Sequence, residues 1–357
     1  LNAANEDGDA ITYTLIGDTN TLMTELNLGG SSEIIVAIEG DEINGQTVTS
    51  TNTASASIYL GDEDSDLTNV ASNVTVVLAD DFAGNTLTVN SDSAVSLDTE
   101  VTQTATGGAV VFVHETSATT TTSNTFTLNI ADSLPTNAGN TATVAGLTFT
   151  DIQALTIAMG TEGLTSTADI TGAALRTVTV TGSGAFDLGD ETITGNSVST
   201  FANVSLDASA VTGVVTVTVD GTADGMESVT TGSAADVITI GAASASGDAF
   251  SITTNGGADT IIMAAAADAT INGGTGTDTL VLANTVELST VDVTLTSIEK
   301  IQIGEGNGEG ATIAASWIDG ATYVIDDAGT TSTLTVSMDQ LTVDLSNLGF
   351  TSNLTTG

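Results

Sequence analysis

Residues 273–281 read GGTGTDTLV. Three glycines, an aspartate and a bulky apolar residue fall there in the nine-residue pattern G-G-x-G-x-D-x-U-x, where U is bulky and apolar. The chemistry those types can do is oxygen ligation. Gly273, Gly274 and Gly276 free the backbone to curl and turn its carbonyls toward a cation. Asp278 adds a carboxylate, and Leu280 turns into the interior. Calcium prefers a shell of this kind, with carboxylate and carbonyl oxygens together. Two degenerate copies lie upstream. TNGGADTII (254–262) aligns Gly257 and Asp259 with Gly276 and Asp278, and TGSAADVIT (231–239) aligns Asp236. The aspartates are 23 and 19 residues apart. If each interval is one turn of a solenoid, the aspartates stack about 4.8 Å apart, close enough for neighbours to share one ion. The plain alternative is a set of Asx turns in a chain rich in Gly and Asp.

The elements that must position these residues are strands. Alternating runs dominate: TLTVN (86–90), TFTLNI (125–130), TVTVT (177–181), VVTVTVD (214–220) and TLTVSM (333–338). Period-two alternation of β-branched residues, with Gly, Asn, Asp and Ser between runs, predicts an all-β chain. A longer period runs through it. The pattern apolar-x-x-apolar-x-apolar occurs at Ile152/Leu155/Ile157, Leu175/Val178/Val180 and Phe201/Val204/Leu206, in part at Met226/Val229, and again at Ile298/Ile301/Ile303. Successive first positions are 23, 26, 25 and 72 residues apart, the last gap being three times 24. A fixed period in this range predicts a parallel β-solenoid of the β-roll or β-helix kind over 139–310, with one continuous period from 152 to 303. Ahead of it the chain divides into an N-terminal β segment (1–40) and an irregular β-rich region (41–138). Behind it, 311–357 is expected to extend or cap the solenoid, with Trp317 as core filler there.

Composition bounds the partners. Forty-five acidic residues face only Arg176 and Lys300, for a formal net charge of −43. Nothing here could neutralise phosphates, so nucleic acid is excluded as a partner, and an anionic membrane surface is disfavoured. No run is long and apolar enough to span a bilayer. Charge this dense opposes a compact state unless cations screen it. Cysteine is absent and aromatics are 3%, so the core must be thin and built on Val, Ile, Leu and Ala. The opening at Leu1 rather than Met reads as a processed product or part of a longer protein.

Catalytic constellations are missing. There is no G-x-S-x-G and no H-E-x-x-H. The lone His114, in VVFVHET, sits on an alternating strand and is expected at a surface or edge position. Arg176 and Lys300 are the only basic groups a lyase could use. Carboxylate pairs abound, but their abundance carries no signal. The expectation is that the chain is not an enzyme.

Taken together, GGTGTDTLV, its degenerate copies, the shortage of basic residues and the Thr/Ala/Gly-rich strands resemble the RTX family of nonapeptide-repeat exoproteins, most of all its bacterial surface-layer members. The resemblance covers about 150–310, and only one of the three copies is a full match. It implies type I secretion, folding in calcium-rich medium, and calcium ions between coils and at subunit contacts. The site residues it implies are Asp236, Gly257, Asp259, Gly273, Gly274, Gly276 and Asp278. Family membership implies an extracellular, cell-surface structural protein whose partners are copies of itself, with cell-surface polysaccharide as a second candidate. Two other readings stay open: a glycan- or ice-binding segment of a large adhesin, and a polysaccharide-active enzyme. Separately, ANEDGDAITYTLIG (4–17) resembles the calcium-binding strand of cadherin-like modules, with Asn5 where the first Asp is expected and Asp7, Gly8 and Asp9 matching. The cluster DEDSD (62–66) spaces Asp62, Asp64 and Asp66 like the start of a calcium loop, but lacks the Gly and Glu that complete one, and reads as a solvated acidic loop.

Overall fold

A computed structural model describes residues 2–3, 11–15, 25–38, 46–61, 64–78, 82, 84–99, 108–118, 123–132, 140–195, 204–220, 225–242, 249–304, 308–327, 329 and 331–351. The chain divides into two compact units, the first formed by 1–185 and 194–201, the second by 186–193 and 202–357. Each is a parallel β-solenoid. Among the described residues the only helical element is the 3-10 turn Ala315–Trp317.

In the first unit, the strands Ile34–Ile38, Ala56–Leu60, Thr75–Leu78, Val95–Asp98, Thr125–Ala131, Ala154–Met159 and Thr177–Gly182 follow one another in a single parallel ladder. A second ladder runs through Thr86–Val89, Val110–His114 and Leu147–Thr150. Alternation decides which side chains go in. In Thr177–Gly182, Val178 and Val180 are fully buried while Thr177 is exposed. Because the strands are in register, like stacks on like. Phe112 and Phe149 are register partners and their rings stack 5.1 Å apart at 9°, with Phe126 5.2 Å from Phe112. A chain poor in aromatics thus concentrates three of them at one level of one core.

In the second unit, one ladder joins Val204–Val211, Met226–Thr230, Phe250–Thr253, Ala269–Asn272 and Val293–Thr296. The other joins Val215–Asp220, Val237–Ala242, Thr260–Met263, Thr279–Leu282, Lys300–Ile303, Val324–Asp327 and Gly349–Phe350. Gly310–Ala314 and Thr333–Ser337 pair beside them. The 3-10 turn holding the half-buried Trp317 lies against Val293–Thr296, the last strand of its ladder.

The solenoid expectation holds, and the structure alters its details. Parallel stacking is not confined to 139–310. It is present from Asn2–Ala3, which pairs with Gly29–Gly30, and Ile11–Leu15 pairs with Ile34–Ile38, so the strand that resembles a cadherin-like element is a solenoid strand; Asn5, Asp7, Gly8 and Asp9 lie outside the described residues. The single period from 152 to 303 also changes phase. Leu155 and Ile157 stack on Val178 and Val180 in one ladder of the first unit. Ile301 and Ile303 stack on Leu280 and Leu282, in the ladder of the second unit that does not hold Val204 and Leu206. Strands of both ladders carry the same alternation, as Thr177–Gly182 and Lys300–Ile303 do, so the pattern marks a strand without telling which face of the coil it occupies. His114 is 7% exposed, not at the surface: its Nδ1 accepts the Thr116 N–H (3.1 Å). An imidazole with that acceptor satisfied can sit in a strand interior.

Candidate metal centre

The pairs Thr216↔Val237, Val237↔Thr260, Thr260↔Thr279 and Thr279↔Lys300 fix the register of five consecutive strands. The residues immediately before them therefore form one row: Val215, Asp236, Asp259, Asp278, Glu299. All three aspartates singled out by the motif stand in it. They are 1%, 1% and 0% exposed.

A ladder of hydrogen bonds links the row. Oδ1 of Asp236 accepts the Val215 N–H (2.8 Å), Oδ1 of Asp259 accepts the Asp236 N–H (2.8 Å), and Oδ1 of Asp278 accepts the Asp259 N–H (2.9 Å). Glu299 continues it, with Oε2 accepting the Asp278 N–H (2.8 Å). Each coil thus hands one carboxylate oxygen to the coil before it. The other oxygen is left over: Oδ2 of Asp236, Asp259 and Asp278 is buried without a hydrogen-bond partner. Carboxylates in that state are costly unless a proton or a cation meets the orphaned oxygen.

Their acidity reflects this. Burial pushes the Asp259 carboxyl up to about 6; the hydrogen bond from the Asp236 amide pulls the other way, and the charges of Asp236 and Asp278 add to the rise. Burial likewise raises Asp236, and raises Asp278 with the Glu299 charge adding to it. Among the described residues one salt bridge is present, Lys300 Nζ to Asp326 Oδ2 at 2.5 Å, and it involves none of the row aspartates.

Glycine makes the turn beside the row. Gly276 holds φ +145° and Gly257 φ +128°, values a side chain rarely tolerates. A Cβ on Gly276 would overlap the Gly257 carbonyl oxygen of the coil below, and one on Gly257 would overlap that of Ala234. Gly274 approaches the Asn255 carbonyl in the same way, and Gly273 approaches both the Ser297 carbonyl and Oδ2 of Asp278. The four motif glycines are needed because backbone oxygens of one coil press against the next.

Among the described residues no three His, Cys, Asp or Glu side chains close around one point. A cation in this corner would therefore draw on carboxylates of successive coils together with backbone carbonyls, all oxygen donors. The orphaned Oδ2 atoms, the bare glycine corner and the absence of basic groups from the row fit a calcium ion of the oxygen-ligated type. When bound, it supplies the charge neutralisation that the hydrogen-bond ladder leaves undone.

The sequence reading missed Glu299, Thr231 and Thr254. Thr231 and Thr254 are fully buried beside the row, with the Thr254 hydroxyl donating to the Gly273 carbonyl (2.9 Å). Glu299 had a signal: it precedes a strand 21 residues after Asp278, but no glycine turn announces it. Elsewhere, Oδ1 of Asp64 accepts the Thr86 N–H of the next coil (2.6 Å) and Oδ1 of Asp66 caps the Thr68 N–H locally (3.0 Å), neither leaving an orphaned buried oxygen; Asp62 lies outside the described residues.

Compared with family models, curated proteins and solved structures, the chain matches none.

Proposed function

We propose that the chain is an extracellular structural protein: a calcium-stabilised subunit that self-assembles into a bacterial surface layer or fibre. The observation that carries this reading is the buried row Asp236–Asp259–Asp278, in which every second oxygen lacks a partner. A chain with net charge −43 gains most from such a row where divalent cations are millimolar, the range to which extracellular modules are tuned. Secretion in an unfolded state and folding on meeting calcium belong to the same reading. So does a non-enzymatic role, with polar strand faces turned outward for contact with further copies.

Negative-stain imaging of the purified chain with calcium, with EDTA, and after Asp259→Ala plus Asp278→Ala tests it. An ordered lattice or filament is expected with calcium alone. Assembly that survives both EDTA and the double substitution would remove the calcium role.

A second reading, a glycan- or ice-binding adhesin segment, has one observation in its favour. Ser228, Ser251, Thr270 and Thr294 form one outward file across four coils, and Thr230, Thr253, Asn272 and Thr296 form the next. Neither file holds a charge. Isolated monomers that bind a glycan array or ice would favour this reading over assembly.

A further inference from the structure

We infer a further divalent-cation position at the C-terminal end of the aspartate row, made by the Asp278 carboxylate, the Ser297 carbonyl and the Glu299 carboxylate. It rests on the reading of the row as a calcium site and adds a coil that carries no glycine motif. Oδ2 of Asp278 is buried and without a hydrogen-bond partner in a residue that is 0% exposed. It converges with the Ser297 carbonyl oxygen of the next coil on the space left by the missing side chain of Gly273. Ser297 holds φ +51°, a left-handed conformation that a non-glycine residue keeps only where the surroundings impose it.

Glu299 supplies the second charge. Its Oε2 already accepts the Asp278 N–H (2.8 Å), so its carboxylate stands at the row's next position. One residue, Ile298, separates Ser297 from Glu299, whereas four separate their row counterparts Gly273 and Asp278. The longer glutamate side chain spans what the shorter turn leaves open. Lys300, its neighbour in sequence, is held by Asp326 (2.5 Å). Glu299 is exposed while the three aspartates are buried. The end position is therefore the one in direct contact with solvent: it binds calcium more weakly than the interior of the row and exchanges it first.

Isothermal titration of the full chain with calcium chloride tests this, using the unsubstituted protein, Glu299→Gln and Asp259→Asn. The glutamine keeps an oxygen for the Asp278 amide and loses only the charge. Two classes of binding are expected, with Glu299→Gln weakening the weaker class about 10- to 100-fold and leaving the tighter one unchanged. If Glu299→Gln titrates like the unsubstituted protein while Asp259→Asn loses binding, the end position is wrong and the row reading stands. If the unsubstituted chain takes up no calcium, the row reading falls and this inference with it.

Discussion

The two units differ in the carboxylates they strand: among the described residues, orphaned buried carboxylate oxygens lie in the second unit alone. In the first, neutral amides bridge many of the coils. Asn52 Nδ2 donates to the Ser32 carbonyl (2.9 Å), Asn73 to Ser50 (2.9 Å), Asn90 to Thr68 (3.1 Å), and the buried Asn124 to both Thr116 (2.6 Å) and Asp151 (2.8 Å). Each such bond satisfies a carbonyl without adding charge. In the second unit the row is built of carboxylates, which only accept: one oxygen takes an amide N–H and the other is stranded. An amide corner is complete on its own, whereas a carboxylate corner with a stranded oxygen calls for a proton or a cation. If calcium fills that role, as proposed, one fold in one chain is indifferent to it at one level and dependent on it at another.

Four measurements bear on that contrast, the largest effect first. Phe112→Ala removes the centre of the trio Phe126–Phe112–Phe149 and should destabilise the first unit by about 3–5 kcal/mol. Calorimetry should find that loss equal with and without calcium; a loss that calcium repairs would dissolve the distinction. Chelation should act on the other unit. Hydrogen exchange across 226–303 should speed up about 100-fold on calcium removal, as for an ion at 100 times its dissociation constant, while amides of 110–114 and 147–150 keep their protection. Equal acceleration in both units would mean that calcium acts through general screening.

Asn124→Ala leaves the Thr116 and Asp151 carbonyls short of their donor, at about 1–3 kcal/mol. Denaturant unfolding should give that loss at any calcium concentration.

The smallest effect is in pH. Asp259, raised from 3.8 to about 6 in the folded state, holds more protons folded than unfolded between those values. Stability of calcium-free protein therefore falls as pH rises through this window and recovers on acidification. Asp259→Asn should flatten that slope in Tm against pH. An unchanged slope would place its origin elsewhere among the acidic residues.

Much of this was legible in the residues. Alternation in TVTVT and VVTVTVD specifies strands because side chains of a strand face opposite ways by turns, and only a half-buried strand needs apolar residues at every second place. The spacing of Asp236, Asp259 and Asp278 gave the row, since equal places on successive coils must stack. Other features were not legible. Nothing in DIQALTIAM and IEKIQIGEG tells that they lie in different ladders, because the alternation is the same on either face of a coil. Glu299 joins the row only because Ile301 pairs with Leu280.

Sequence alone thus settled the kind of coil, the scarcity of positive charge, and that Asp236, Asp259 and Asp278 share a register, all properties of local pattern and repeat length. Tertiary structure decided that the aspartates are buried, that one oxygen of each is taken by the neighbouring amide and the other is not, and that among the described residues such stranded oxygens occur in the second unit and not the first. Those outcomes depend on which backbone groups of one coil arrive opposite which side chains of the next, a matter of three-dimensional register that no single stretch of residues encodes.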